Sequence, residues 1–332
     1  MRLLVTGAAG FIGSNFVRYW LDRRPDDHVV AYDLLTYAGN RASLADLEEL
    51  IVFVHGDIAD GDLAERVVRD EEIDTIVNFA AESHNSLTVI DPTRFFRTNV
   101  LGTQTLLDVA RTAGVRRFHH VSTCEVYGDL ALDSDEAFTE EHPYRPRTPY
   151  NASKAGADHA VRAYFETYGL PVTITNCSNN YGPYQFPEKV IPLFVTHALD
   201  ELQLPLYASM QNRREWLHVV DHCRAIELVL ESGREGETYN VGSGLEVSVE
   251  ELADRILELT GKSSELKSTV PDRPGHDRRY LLDSTKLRRE LGWEPTWDFE
   301  AGLADTVRWY GAHREWWEPL RERAPVEETA WR

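Results

Sequence analysis

The chain has 332 residues, of which 42% are hydrophobic and 27% charged. This is more than one ordinary domain of about 100–200 residues, and the composition excludes a disordered or collagen-like polymer. Acidic residues outnumber basic ones 55 to 35, and the net charge of −20 excludes blanket binding to nucleic acid or to an anionic membrane; an anionic ligand needs a local cluster of bases.

In chain order, residues 2–6 read as a short buried strand, Gly-rich residues 7–13 follow, and 11–24 read as a helix. HVVAYD (28–33) is a second strand and residues 51–55 a third. Residues 60–71 read as a helix, 73–80 as a fourth strand and 91–113 as one long helix. RRFHHVST (116–123) is a fifth strand, 149–168 a helix and PVTITNC (171–177) a sixth strand. Strands alternating with helices predict an α/β fold. Right-handed crossovers make it a Rossmann-type, doubly wound parallel sheet covered on both faces. After residue 180 Pro and Gly become frequent. Helices are expected at 188–199, 219–232, 248–260 and 299–313, with short strands between them, in a smaller mixed α/β unit. No apolar run reaches the 18 or so residues of a membrane span, and the first residues have no secretory layout. Cys124, Cys177 and Cys223 are too few and scattered for a disulfide framework. A cytoplasmic protein is the expectation.

Gly7, Gly10 and Gly13 stand in GAAGFIG, between the first strand and the first helix. In such a turn the first glycine permits the tight bend, the second admits a pyrophosphate close to backbone, and the third lets helix pack on strand. The helix that opens through Phe11 and Ile12 offers free N–H groups and a favourable dipole to the phosphates. Asp33 ends the second strand 20 residues beyond Gly13. A carboxylate there accepts hydrogen bonds from ribose hydroxyls and repels a 2′-phosphate, which favours NAD over NADP. Asp57 and Ile58 follow the third strand, where Asp57 can meet the adenine edge or cap the next helix. Ala80 and Ala81, at the end of the fourth strand, suit close passage of a cofactor or plain packing. The expected organisation is an NAD-binding domain over 1–180, joined by some later segments, a substrate domain over 181–320, and a tail over 321–332 that frays from 324.

Tyr150 and Lys154 form YNASK and share one helix face. A phenol ordinarily ionises near pH 10. An adjacent ammonium and a cationic nicotinamide are expected to favour the phenolate and make Tyr150 a base toward an alcohol; Lys154 can also hold the nicotinamide ribose. At the carboxyl end of the fifth strand, where ligands bind in this architecture, Thr123 can hydrogen-bond a substrate hydroxyl and Glu125 can remove a carbon-bound proton beside a ketone. Cys124 between them can donate a proton or simply fill space. His218 and His222 are four apart and His119 adjoins His120, but no HExxH or CxxC accompanies them. No metal is expected.

With these residues assembled, the chain resembles the extended short-chain dehydrogenases/reductases, and within them the nucleotide-sugar 4,6-dehydratases. The resemblance runs from residue 1 to about 320. It is carried by GAAGFIG, NFAAESH, FHHVSTCEVYG, PYNASKAGADH and, most discriminatingly, CSNNYGPYQFPEKVIPLF and DRPGHDRRY. It implies an internal redox cycle on a nucleotide-diphosphate sugar, dTDP- or UDP-glucose, with NAD regenerated, a 4-keto-6-deoxy product and a homodimer built on the helices at about 95–113 and 149–168. Ser83, Thr123, Asn179, Lys189, Arg214, Asn240, Arg273 and His276 correspond to substrate-holding positions. The chain departs from the family pattern at Cys124, where the family carries the Asp that protonates the leaving C6 hydroxyl. It departs again at Leu34, usually Lys, and at residues 85–88, NSLT in place of VDRS. STCEVYG is also the segment of a nucleotide-sugar 5,6-dehydratase, whose product is an exocyclic alkene. That activity, a 4-epimerase, and a catalytically silent NAD-binding regulator are the alternatives.

Overall fold

A computed structural model describes residues 1–84, 87–272 and 274–323; Arg273 and the tail from 324 lie outside the described residues. In chain order the first part contains β1 (Arg2–Thr6), α1 (Phe11–Arg23), β2 (His28–Asp33), β3 (Val52–His55), α2 (Gly61–Asp70) and β4 (Thr75–Asn78). Short helices α3 (Leu87–Ile90) and α4 (Pro92–Phe95) come next, then α5 (Thr103–Ala113), β5 (Arg117–Thr123), α6 (Pro149–Tyr168) and β6 (Val172–Cys177). The second part contains β7 (Asn179–Tyr181), α7 (Val190–Leu199), β8 (Leu204–Tyr207), β9 (Arg213–His218), α8 (Val219–Ser232), β10 (Thr238–Val241) and β11 (Glu246–Ser248). It closes with α9 (Val249–Thr260), β12 (Lys267–Val270), β13 (Arg279–Tyr280), α10 (Thr285–Leu291), α11 (Phe299–Ala312) and α12 (Arg314–Arg321).

The main sheet has seven parallel strands in the order β3-β2-β1-β4-β5-β6-β10. Its central strands are buried on both faces, as their unbroken apolar runs require. Leu4, Ile76, Phe118 and Ile174 pack one face with α2, α5 and α6. On the other face Leu3, Val5 and Val77 meet Phe16 and Trp20 of α1 and Val219, Cys223 and Ile226 of α8. Thus α8 and β10, both from beyond residue 180, return to the main sheet. The remaining strands form a four-stranded sheet, β7, β9, β11 and β13, and a β8–β12 pair. The strand order reverses between β1 and β4, so the crevice at their carboxyl ends is where a ligand is received.

The single regular helix expected over 91–113 is not what forms. Between α4 and α5 the chain runs through a π-helical segment, Phe96–Gly102. Its Asn99 accepts from the Glu82 N–H at 2.8 Å and donates to the Glu82 carbonyl at 3.0 Å and to Ser153 Oγ at 2.8 Å. A buried amide committed to three outside partners fixes the wider turn, as π-bulges near functional sites often do. The partners lie far off in sequence, so local periodicity carries no sign of it.

A cleft at the carboxyl edge of the sheet

The cleft encloses about 330 Å³ and is lined from both parts of the chain. At its floor Gly7 has φ of +66°, and a Cβ there would lie 2.7 Å from the Ala80 nitrogen. A Cβ on Gly13 would lie 2.2 Å from the Gly7 carbonyl oxygen. Only glycine fits either place. Helix α1 starts at Gly10 with no side-chain cap, so its first N–H groups, at Phe11 and Ile12, stay available to an anion. Asp33 accepts from the Ala9 N–H at 2.9 Å and the Leu35 N–H at 2.7 Å. Burial pushes its carboxyl above the usual range, and the two amides pull the other way. Asp57, Ile58, Ala80 and Ala81 line the same cleft. Asp57 accepts from the Ala59 N–H at 2.9 Å and pairs with Arg97 at 2.8 Å, while the cap of the next helix is Asp60, whose side chain accepts from the Leu63 N–H. Replacing Asp33 by Ala is expected to lower the NAD retained through gel filtration at least tenfold, measured as released dinucleotide per chain, because no other carboxylate replaces its acceptors.

Thr123, Cys124, Glu125, Tyr150 and Lys154 all line the cleft. Thr148 caps α6, Pro149 occupies its first turn and Gly169 ends it with φ of 67°, which sets Tyr150 and Lys154 in the first two turns, under the end of β5. Tyr150 is 8% exposed. Burial and the neighbouring Glu125 carboxylate push its phenol well up, and Thr123 beside it opposes them. Lys154 Nζ donates to the Val121 carbonyl at 2.7 Å. Burial, and Glu125 after it, likewise hold the Cys124 thiol neutral. Cys124 also packs with Val126, Tyr127, Phe138 and Tyr280, so it both fills space and faces the cleft.

The substrate positions divide. Ser83, Asn179 and Lys189 line the cleft. Lys189 Nζ donates to the Ser83 carbonyl at 3.0 Å, and Asn179 Oδ1 is buried without a protein partner. The three other described positions lie outside the cleft lining. Asn240 is fully buried; it accepts from the Tyr127 hydroxyl at 2.9 Å and donates to the Phe138 carbonyl at 2.8 Å, so both ends of its amide are used inside the fold. Arg214 donates to the carbonyls of Arg213, Asp277 and Arg278 and lies over the Tyr280 ring, which makes it a brace for the 277–280 segment. His276 sits edge-on to Tyr207 and 3.3 Å from Ser209 Oγ, away from the cleft lining. Arg273 lies outside the described residues.

Sequence reasoning missed a charged cluster at the cleft wall. Glu188 accepts from the Tyr37 hydroxyl at 3.0 Å, pairs with His84 Nε2 at 3.0 Å and lies 3.4 Å from Lys189. Burial works against its charge, but Lys189, His84 and Tyr37 together outweigh burial and hold its carboxyl low. The only hint was that Tyr37, His84 and Glu188 sit in motifs too irregular for packing alone. His119 lies between Thr173 and Thr175, and His222 Nδ1 is 2.9 Å from Asn180.

A glycine cradle beside a buried carboxylate, with a phenol, a lysine and a second carboxylate across the same crevice, defines a dinucleotide-binding protein of the extended short-chain dehydrogenase/reductase type. The GDP-mannose 4,6 dehydratase family model matches residues 4–306, and the chain belongs to that family. It is 49% identical to a dTDP-glucose 4,6-dehydratase of Streptomyces niveus over 99% of this chain and 98% of that one. It is 48% identical to one of Mycobacterium tuberculosis, over 97% of each. Among solved structures, DesIV from Streptomyces venezuelae, a dTDP-glucose 4,6-dehydratase with NAD bound, matches with a TM-score of 0.93 at 54% identity, covering 96% of this chain and all of that one. A Thermus thermophilus UDP-glucose 4-epimerase in complex with NAD matches at 0.88 and 33%, covering 94% and 100%.

Proposed function

We infer that the protein is an NAD-dependent nucleotide-sugar 4,6-dehydratase whose substrate is dTDP-glucose and whose product is a 4-keto-6-deoxy sugar. The observation that carries this reading is that the Tyr150 phenol and the Glu125 carboxylate enter one cleft with the glycine cradle. The residues fit the dinucleotide. Side chains at Gly7 or Gly13 would collide with the backbone of Ala80 and Gly7 and break the tight turn, the first helical residues of α1 follow a glycine without a side-chain cap, and Asp33 is fixed by two amides. NAD, when bound, supplies a hydride acceptor and donor and a positively charged ring.

Burial and Glu125 oppose ionisation of the Tyr150 phenol, and the positively charged ring that NAD would supply favours the phenolate; as phenolate Tyr150 takes the proton of the C4 hydroxyl, with the Thr123 hydroxyl beside it to hold that oxygen. A ketone at C4 acidifies the C5 proton, and Glu125 removes it. The C6–O bond breaks as the C5–C6 double bond forms, and Glu125, protonated by the C5 hydrogen, returns that proton to the leaving oxygen so that water departs; Cys124, held neutral by burial, gives that oxygen only a weak S–H hydrogen bond. Ser83, Asn179 and Lys189 hold the sugar nucleotide from the far wall, the Lys189 ammonium supplying the local positive charge the acidic chain otherwise lacks. Of these groups Lys189 is the one that comes from residues 181–320, the part read as a substrate domain; the others come from the first 180 residues.

Cys124 supports a second reading, a 5,6-dehydratase that leaves an exocyclic alkene, because a thiol is a poorer acid for the C6 oxygen than a carboxyl. Incubation with dTDP-glucose and UDP-glucose, with proton NMR of the product, tests both. A C6 methyl doublet and the alkaline absorbance of a 4-keto sugar are expected with dTDP-glucose. Alkene protons select the second reading, and unchanged sugar with either nucleotide contradicts both. A homodimer through the π segment, α5 and α6 belongs to the same proposal, supported by the exposure of Phe96, Leu101 and Tyr168. So does cytoplasmic residence, supported by three free thiols.

A further inference from the structure

Tyr150 and Lys154 continue, one turn further along α6, to Asp158. Spacing of four places all three on one stripe of the helix. Asp158 is fully buried. Its Oδ2 accepts from Ser122 Oγ and from the Tyr144 hydroxyl, each at 2.9 Å, and its Oδ1 has no hydrogen-bond partner. His120 Nε2 lies 3.5 Å from that Oδ1 and 3.4 Å from Lys154 Nζ. Asn78 Nδ2 sits 3.1 Å from His120 Nδ1, so Nδ1 accepts and Nε2 carries the proton.

We propose that Asp158 is a positioning residue for the active site: its carboxylate, locked by Ser122 and Tyr144, is the counter-charge that keeps the Lys154 ammonium charged and directed to the rim of β5. The proposal deepens the dehydratase reading and rests on it for its functional meaning.

The surrounding groups leave Asp158 this role. From β5, His119 and His120 are both held neutral by burial. From β6, burial pushes the Cys177 thiol up to about 12. Tyr127 and Tyr144 are also raised, burial being the main cause in each. Arg162 of α6 donates to the Tyr144 hydroxyl and to Thr238 and so backs the acidic side of the pair. Burial pushes Lys154 down and Asp158 up, and the charge of each resists the shift of the other. An ammonium in such a place without a counter-charge loses its proton.

The chain has five lysines, so the Cε signals of lysine-labelled, NAD-loaded protein can be followed one by one through a pH titration, Lys154 being assigned by its loss in Lys154→Arg. Asp158→Asn is expected to lower the Lys154 midpoint by more than one pH unit, a tenfold or greater change in its proton affinity, and Asp158→Glu to restore most of it. Tyr144→Phe, which removes only one donor from Asp158, is expected to move the midpoint the same way by less, and it serves if Asp158→Asn does not fold. An unchanged Lys154 midpoint in folded Asp158→Asn, or in Tyr144→Phe where the first is unfolded, overturns the proposal. The titration requires no turnover, so its outcome stands apart from the product assay that decides the dehydratase reading.

Discussion

Tyr150→Phe is expected to lower kcat on dTDP-glucose by about 10²–10⁴-fold, the usual contribution of a positioned general base, with bound NAD and KM nearly unchanged. The phenol lies in the cleft beside Thr123; burial and Glu125 oppose its ionisation, so its action as a base depends on the positive ring that NAD would supply. Removing the oxygen deletes the acceptor for the C4 proton and leaves the ring's apolar contacts, including the edge-on approach to Phe95 at 6.3 Å. The check is steady-state kinetics beside dinucleotide released per chain. A loss carried mainly by KM, or by lost NAD, would assign the phenol to binding and not to proton transfer.

The second large effect is expected at Glu125. Glu125→Gln keeps the size of the side chain and removes the base. Product formation should fall by about 10²–10⁴-fold, and exchange of the C5 proton with deuterated solvent should be lost with it. The same change takes a negative charge away from Tyr150, whose phenol Glu125 now pushes up. Oxidation at C4 should therefore survive, and a 4-keto glucose nucleotide that has kept its C6 hydroxyl should be trapped by borohydride and seen as two C4 epimers. Persistent C5 exchange in this variant would place the carbon base elsewhere.

The nucleotide-binding half was legible because each of its signals is local. Thr148, Pro149 and Gly169 mark the ends of α6 within the sequence itself, and the three glycines sit where a strand must turn directly into a helix. The π segment was not legible because Asn99 finds its partners at Glu82 and Ser153. The substrate wall was the least legible. Asn240 looks like a ligand-facing amide in sequence, yet it lies in β10 and is consumed by Tyr127 and Phe138. Arg214 is likewise consumed by backbone carbonyls. Conversely the Tyr37–Glu188–His84 group joins three distant loops, and no period or spacing links them. Spacing puts a lysine on the same helix face as Tyr150, but only the folded chain shows that its ammonium donates to the Val121 carbonyl.

The central claim is that one enzyme-held electron pair leaves C4 and comes back to the same sugar. The most direct measurement uses dTDP-glucose deuterated at C4 and follows the label by proton and deuterium NMR in ordinary water. A 4-keto-6-deoxy product carrying that deuterium in its C6 methyl group is expected, with no added NAD consumed. Deuterium returned to C4, or washed into solvent while C6 acquires only solvent hydrogen, would contradict it.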